Sequence, residues 1–120
     1  MTFHLTLDAV KTAAREAYAK GELGFQKGEE HCRYVGTKTG APCAIGAAMS
    51  EEFRQKLVSL AANGKSIGSL KRSGYVSMPE KEFNTISYIQ RSHDDIVKRA
   101  AEGLDTTEAE ADFKRLIGIE

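Results

Sequence analysis

The sequence predicts an α-rich α+β domain, about four helices packed with one short β-hairpin over Cys32–Ile45. Three observations predict it. Apolar residues recur at three- and four-residue spacing in separate stretches of the 120-residue chain. Capping residues and a glycine bracket those stretches. Between the first two stretches, β-friendly residues flank a Gly-Thr-Lys-Thr-Gly turn.

In the first helix Thr6 serves as the cap, Asp8 suits the first turn, and Gly21 follows the last. Leu7, Val10, Ala14, Ala17 and Tyr18 form its apolar face over about four turns. Residues 21–28 read as a loop pinned to the core by Leu23 and Phe25. In the hairpin, Cys32-Arg33-Tyr34-Val35 leads out, residues 36–40 turn, and Pro42-Cys43-Ala44-Ile45 returns. Pro42 lacks an N–H and so confines the returning strand to an edge position, or itself to that strand's first residue. Pairing across the turn sets Cys32 opposite Cys43, with Tyr34 and Ile45 beside them.

Ser50-Glu51-Glu52 opens the next helix, whose stripe is Phe53, Leu57, Leu60 and Ala61, and Asn63-Gly64 ends it. Residues 65–75, rich in Gly, Ser and Lys, read as a loop. Ser77-Met78-Pro79-Glu80 has the pattern of a capping box with proline in the first turn. The helix it predicts runs to about Glu102 and stops at Gly103, burying Phe83, Ile86, Ile89, Gln90, His93, Ile96, Val97 and Ala100. Asp105, Thr106 and Thr107 offer caps for a last helix that turns Phe113, Leu116 and Ile117 inward and ends at Gly118.

The length fits a single domain spanning residues 1–120. With 17 basic and 17 acidic residues the formal net charge is zero, so no general binder of nucleic-acid backbone is expected. A local patch of Lys65, Lys71 and Arg72, with no acid between them, remains. No 18-residue apolar run predicts a membrane span, and Met1–Leu5 has no basic region leading into an apolar core. The expected compartment is the cytoplasm, where Cys32 and Cys43 act as thiols, metal ligands or redox partners before a lasting disulfide. There is no P-loop, no GxGxxG after a strand and no zinc quartet, so no cofactor is predicted.

His93 sits where a helix should carry a hydrophobe, among Ile86, Ile89, Ile96, Val97 and Ala100. A ring nitrogen there needs a hydrogen-bond partner, which makes a structural histidine, clamped with Gln90 onto the hairpin or Tyr34, one reading. A second makes Cys43 a thiol nucleophile, with His93 as base and Gln90 as oxyanion donor. Its missing piece is an orienting group, because Asp94 lies about 100° round the helix from His93. A third uses Cys32, Cys43 and His93 as metal ligands, with His31 or Asp94 as a distant fourth, although ten residues between the cysteines is unlike a zinc knuckle. A fourth is a redox-switchable Cys32–Cys43 bridge.

Cys32 with Tyr34, then Cys43-Ala44-Ile45-Gly46, then Gln90, His93 and Asp94, form an ordered pattern across about half the chain. It resembles a group of small uncharacterised proteins of bacteriophages and prophages. The chain departs from that group in Ala48-Met49-Ser50-Glu51, which replaces an apolar-Pro-Asp helix entry. The resemblance implies a mobile-element setting rather than a chemistry. Small neutral phage proteins often inhibit host machines by binding them, CRISPR and other defence complexes included. The expected activity is therefore binding of a host protein or ribonucleoprotein, with Lys65, Lys71, Arg72 and Tyr75 as contact residues. A Cys43–His93 hydrolase or transferase, and a homodimeric structural module, are the alternatives.

Overall fold

A computed structural model describes residues 2–31 and 33–119. The helices are α1 (Leu7–Ala19), α2 (Gly24–Lys27), α3 (Glu51–Ser59), α4 (Ile67–Arg72), α5 (Phe83–Ala101) and α6 (Thr107–Ile117), with 3-10 turns at Gly46–Ala48 and Glu80–Glu82. Strands β1 (Phe3–His4) and β2 (Val76–Ser77) pair in parallel, Phe3 opposite Val76 and His4 opposite Ser77. The fold is α-rich α+β. Its two-stranded sheet joins distant parts of the chain and is not the expected hairpin.

The hairpin fails for a physical reason. Two backbone bonds cross it, from Cys43 N–H to Arg33 O at 3.0 Å and from Gly36 N–H to Ala41 O at 2.9 Å, but no ladder forms. Pro42 has no N–H to give, and its carbonyl accepts from Gly24 at 2.8 Å. Asn63 occupies both polar groups of Val35: Val35 N–H donates to Asn63 Oδ1 and Asn63 Nδ2 donates to Val35 O, each at 2.8 Å. A side-chain amide thus stands where a neighbouring strand would, and every backbone group it takes is lost to a sheet. The expected Cys32–Cys43 register lies outside the described residues.

Helix starts follow the local code. The hydroxyls of Thr6, Ser50 and Ser66 accept from Ala9, Phe53 and Ser69 N–H at 3.2, 3.1 and 3.1 Å. Ser66 caps α4 inside the stretch expected to be a loop. Ile67 and Leu70 anchor that helix, and Lys71 and Arg72 suit its carbonyl end. Gly74, at φ +79°, closes it: Gly74 N–H reaches Lys71 O at 3.1 Å and Tyr75 N–H reaches Leu70 O at 3.0 Å. In the other expected loop, Gln26 stabilises α2 by accepting from Leu23 N–H at 3.0 Å and donating to Tyr18 O at 2.9 Å.

The capping box at residues 77–80 does not form. Ser77 is committed to β2, where its carbonyl accepts from Leu5 N–H at 2.8 Å and its hydroxyl meets His4 Nδ1 at 2.8 Å. The helix α5 therefore begins only at Phe83, after the 3-10 turn. Glu82, just before it, accepts from Leu7 N–H at 2.7 Å and caps α1 instead. The buried stripe of α5 is Ile86, Ile89, His93, Ile96 and Val97, and it meets Phe113 and Ile117 of α6 and Val10 and Ala14 of α1 in one core. Ala100, expected inside, is exposed. Among the described residues no helix is long and apolar enough to cross a membrane.

Helix α3 ends before the expected Asn63-Gly64 stop. Ala61 takes the left-handed position at φ 56°, with its N–H on Val58 O at 3.1 Å and Ala62 N–H on Leu57 O at 2.8 Å. The last turn thus carries Leu60 (44% exposed) and Ala61 outward rather than into the stripe, and releases Asn63 to hold Val35. An L-residue in this conformation costs about 1–2 kcal/mol, partly offset by the greater freedom glycine has in the unfolded chain. Ala61→Gly should therefore stabilise the fold by about 0.5–1 kcal/mol in urea unfolding. Unchanged or lower stability would mean that Ala61 is not strained.

Candidate functional site

Helix α5 carries His93 into the core, where it is 1% exposed. Its ring meets Phe25 edge-on at 5.4 Å and Phe113 at 6.0 Å, and those two phenyl rings meet each other at 5.8 Å and 82°. Helix α2 packs beside the imidazole, where a Cβ on Gly24 would stand at ordinary contact distance, 3.4 Å from His93 Cε1 and 3.5 Å from Pro42 O. Burial pushes His93 from 6.5 down to about 4, so the ring is neutral at pH 7. Asp94 Oδ1 lies 4.0 Å from His93 Nδ1, beyond direct hydrogen-bond reach.

Cys43 is equally enclosed, at 1% exposure. Its sulfur accepts from Gly46 N–H at 3.3 Å as the chain enters the 3-10 turn. Gly46 makes this turn possible, because a Cβ there would come within 2.6 Å of Tyr34 O. Gln90, the expected oxyanion donor, is half-buried and lines a polar cleft on the protein's surface. Of the expected metal ligands, Cys32 lies outside the described residues. Among the described ones no three His, Cys, Asp or Glu side chains group to hold a metal ion.

The sequence reading missed Glu29. Its residue is 5% exposed, and its carboxylate accepts from Lys38 N–H at 3.2 Å and from both the N–H and the hydroxyl of Thr39. It presses on Gly36, where a Cβ would fall 2.3 Å from its Cδ. Burial pushes the Glu29 carboxyl up, but the Thr39 and Lys38 hydrogen bonds and the Lys38 charge together bring it below its ordinary value. Successive N–H groups in a glycine-bounded turn are the signal that an anion belongs there.

The cleft lies between the chain at residues 63–68 and the first half of α5, with a volume of about 600 Å³. Tyr34 fixes its near wall by donating its hydroxyl to Lys65 O at 2.8 Å. Arg33 lies flat on Gly64, where a Cβ would stand 2.8 Å from its Nη1. Across the cleft, Tyr88 is 59% exposed and carries the Arg91 guanidinium 5.7 Å from its ring centroid. Asp94 supplies the carboxylate of the lining.

The expected contact residues separate here. Lys65 is exposed and lines the cleft, and Arg72 is exposed beside Gly68, its Nη1 3.5 Å from that glycine's Cβ position. Lys71 is half-buried, 5.3 Å from the Phe83 ring centroid and 3.8 Å from the Glu80 carboxylate. Tyr75, expected to protrude as an anchor, is half-buried against the core, and its carbonyl accepts from Phe3 N–H at 2.9 Å to align β1. Its side chain is packing. Tyr88 and Arg91, one helical turn apart on the polar face of α5, offer the exposed aromatic and charge instead. No family model, no curated protein and no solved structure matches the chain.

The buried histidine makes the fold acid-sensitive. Because burial lowers the folded value from 6.5 to about 4, the unfolded chain binds the extra proton between those limits. Stability should be full above 6.5 and fall by about 2 kcal/mol by pH 5. Glu29 adds acid sensitivity only lower, as pH falls through its own depressed value. Urea unfolding at pH 7 and pH 5 should show the loss in the parent and not in His93→Gln. Equal parent stability at both values would contradict a buried neutral ring.

Proposed function

We propose that the protein is a phage-type accessory protein that binds a host protein or ribonucleoprotein in the cytoplasm, a defence complex such as a CRISPR effector being the leading class. The likeness of Cys32 with Tyr34, Cys43–Gly46, Gln90, His93 and Asp94 to phage and prophage proteins supplies the setting. One observation carries the binding reading: Lys65, Tyr88 and Arg91 are exposed around a single concave face, with Arg72 exposed beside it at Gly68, whereas Cys43 and His93 are each 1% exposed. Arg and Tyr dominate binding energies where they can be desolvated by a partner. A hydrolase or transferase built on Cys43 and His93 needs a path for substrate to the sulfur, and neither residue lines the cleft.

Host-lysate capture identifies the partner, and titration with the purified partner then tests the face. Lys65→Ala, Arg72→Ala together should weaken the complex by about 2 kcal/mol or more, with part of the loss suppressed at high salt. Cys43→Ser should bind like the parent. Parent-like binding of the double variant, or a chemical turnover lost in a folded Cys43→Ser protein, would overturn the reading.

A further inference from the structure

We propose that Asn63-Gly64 is a self-modifying site, where the folded chain converts Asn63 to an aspartyl or isoaspartyl residue and so opens its own clamp on Val35. The inference is independent of the host-partner reading. It starts from the only Asn-Gly pair in the chain. An asparagine followed by glycine cyclises readily, because the next backbone nitrogen has no neighbouring side chain to crowd it. The other asparagine, Asn84, precedes Thr85, whose branched Cβ shields that nitrogen.

The structure supplies the nucleophile and its restraint together. Gly64 is exposed, and among the described residues no group accepts from its N–H. No hydrogen bond therefore has to break before the nitrogen gives its proton to water. Asn63 and Gly64 are the middle residues of a turn closed by Lys65 N–H on Ala62 O at 3.1 Å. Tyr34 holds this turn twice: its N–H meets Asn63 O at 3.4 Å and its hydroxyl donates to Lys65 O at 2.8 Å. The side-chain amide of Asn63 is bonded to Val35 through both Oδ1 and Nδ2. Attack at Cγ makes that planar amide tetrahedral and expels Nδ2, so the clamp has to open for the reaction to proceed. The reaction rate thus follows the population of open clamp.

The step needs only water. Gly64 N bonds to Asn63 Cγ, the Cγ–Nδ2 bond breaks, and Nδ2 leaves as ammonia, taking up the proton that Gly64 gave. Water then adds to one carbonyl of the succinimide ring and opens it, to an aspartyl residue or, at the other carbonyl, to an isoaspartyl one. Nothing is oxidised or reduced. Either product carries a carboxylate, which at pH 7 has no proton to donate to Val35 O. The isoaspartyl form also lengthens the main chain inside the turn. Because the ammonia departs, the clamp does not re-form.

The test incubates the full chain at mildly alkaline pH, where His93 is neutral and the fold has its full stability. Conversion is read by peptide mass mapping and by labelling with an isoaspartyl methyltransferase. In the guanidinium-unfolded chain Asn63 should convert at least about tenfold faster than Asn84. In the folded parent it should convert about ten- to a thousandfold more slowly than in the unfolded chain. Tyr34→Phe, which frees one end of the turn, should speed the folded reaction several-fold and leave the unfolded one unchanged. Gly64→Ala should slow conversion about tenfold in both states while Val35 N–H stays slow to exchange. The φ of Gly64 lies outside the left-handed region, so alanine suits the backbone, and its methyl would meet Arg33 Nη1, the end of a flexible side chain, at 2.8 Å. The converted protein and Asn63→Asp should both exchange Val35 N–H by local opening while α5 stays protected. A folded parent that converts as fast as the unfolded chain, or more slowly than that range, would overturn the assignment. So would a Tyr34→Phe protein that converts at the parent's rate, or a converted protein that keeps the parent's slow Val35 amide.

Discussion

The side chain of Asn63 holds residues 33–35 against the chain that follows α3, through two bonds of 2.8 Å to the backbone of Val35. Much else depends on that contact. It consumes the polar groups that a hairpin would have used, so the segment around Val35 becomes a wall of the cleft. It carries Tyr34 to within reach of Lys65 O and lays Arg33 on Gly64. Three features arise together from one amide: the missing ladder, the cleft wall and the rim of cations. A paired, half-buried amide of this kind matters mainly because partners left unmet away from water cost up to about 1–3 kcal/mol each.

On the other side of the same segment the interior is arranged by close approaches that only glycine permits. Gly36 admits the Glu29 carboxylate and Gly46 admits the Tyr34 backbone. Glu29 ties the end of α2 to the turn at Lys38 and Thr39, and Cys43 and His93 are each 1% exposed. Cys43 and His93 are enclosed, whereas Gln90 and Asp94 of the same sequence cluster line the cleft on the α5 side. Burial explains both the neutral histidine and its place among phenyl rings.

The long amphipathic helices were legible because their signals are local and repeated. The stripe of α5 and the Thr6 and Ser50 caps are read directly from spacing and residue type. What the sequence hid was non-local. The pairing of Phe3 with Val76 spans most of the chain and leaves only two-residue strands, too short for any alternation to show. Ser77 was drawn into that pairing, which defeated a good capping pattern. Helix α4 has only Ile67 and Leu70 to mark a face, and glycines and serines around them read as loop. For the site, Lys65, Arg72 and Gln90 were found as residues but not as one surface. Tyr88 and Arg91 sit on the polar side of α5, where exposed residues follow no pattern that marks a binding surface. Glu29 was hidden because its partners, the N–H groups of Lys38 and Thr39 and the Thr39 hydroxyl, lie in a turn about ten residues further on, marked only by its bounding glycines.

If Asn63 shapes the cleft, the Val35 amide is the group that reports it. Native-state hydrogen exchange of Val35 N–H should be slow, opening only with free energies close to global unfolding, as for the amides of α5. In Asn63→Ala the same amide should exchange through local opening, much faster than an α5 core that stays protected. A Val35 amide that already exchanges near its unprotected rate in the parent, while α5 is protected, would contradict the dependence of the cleft on this side chain.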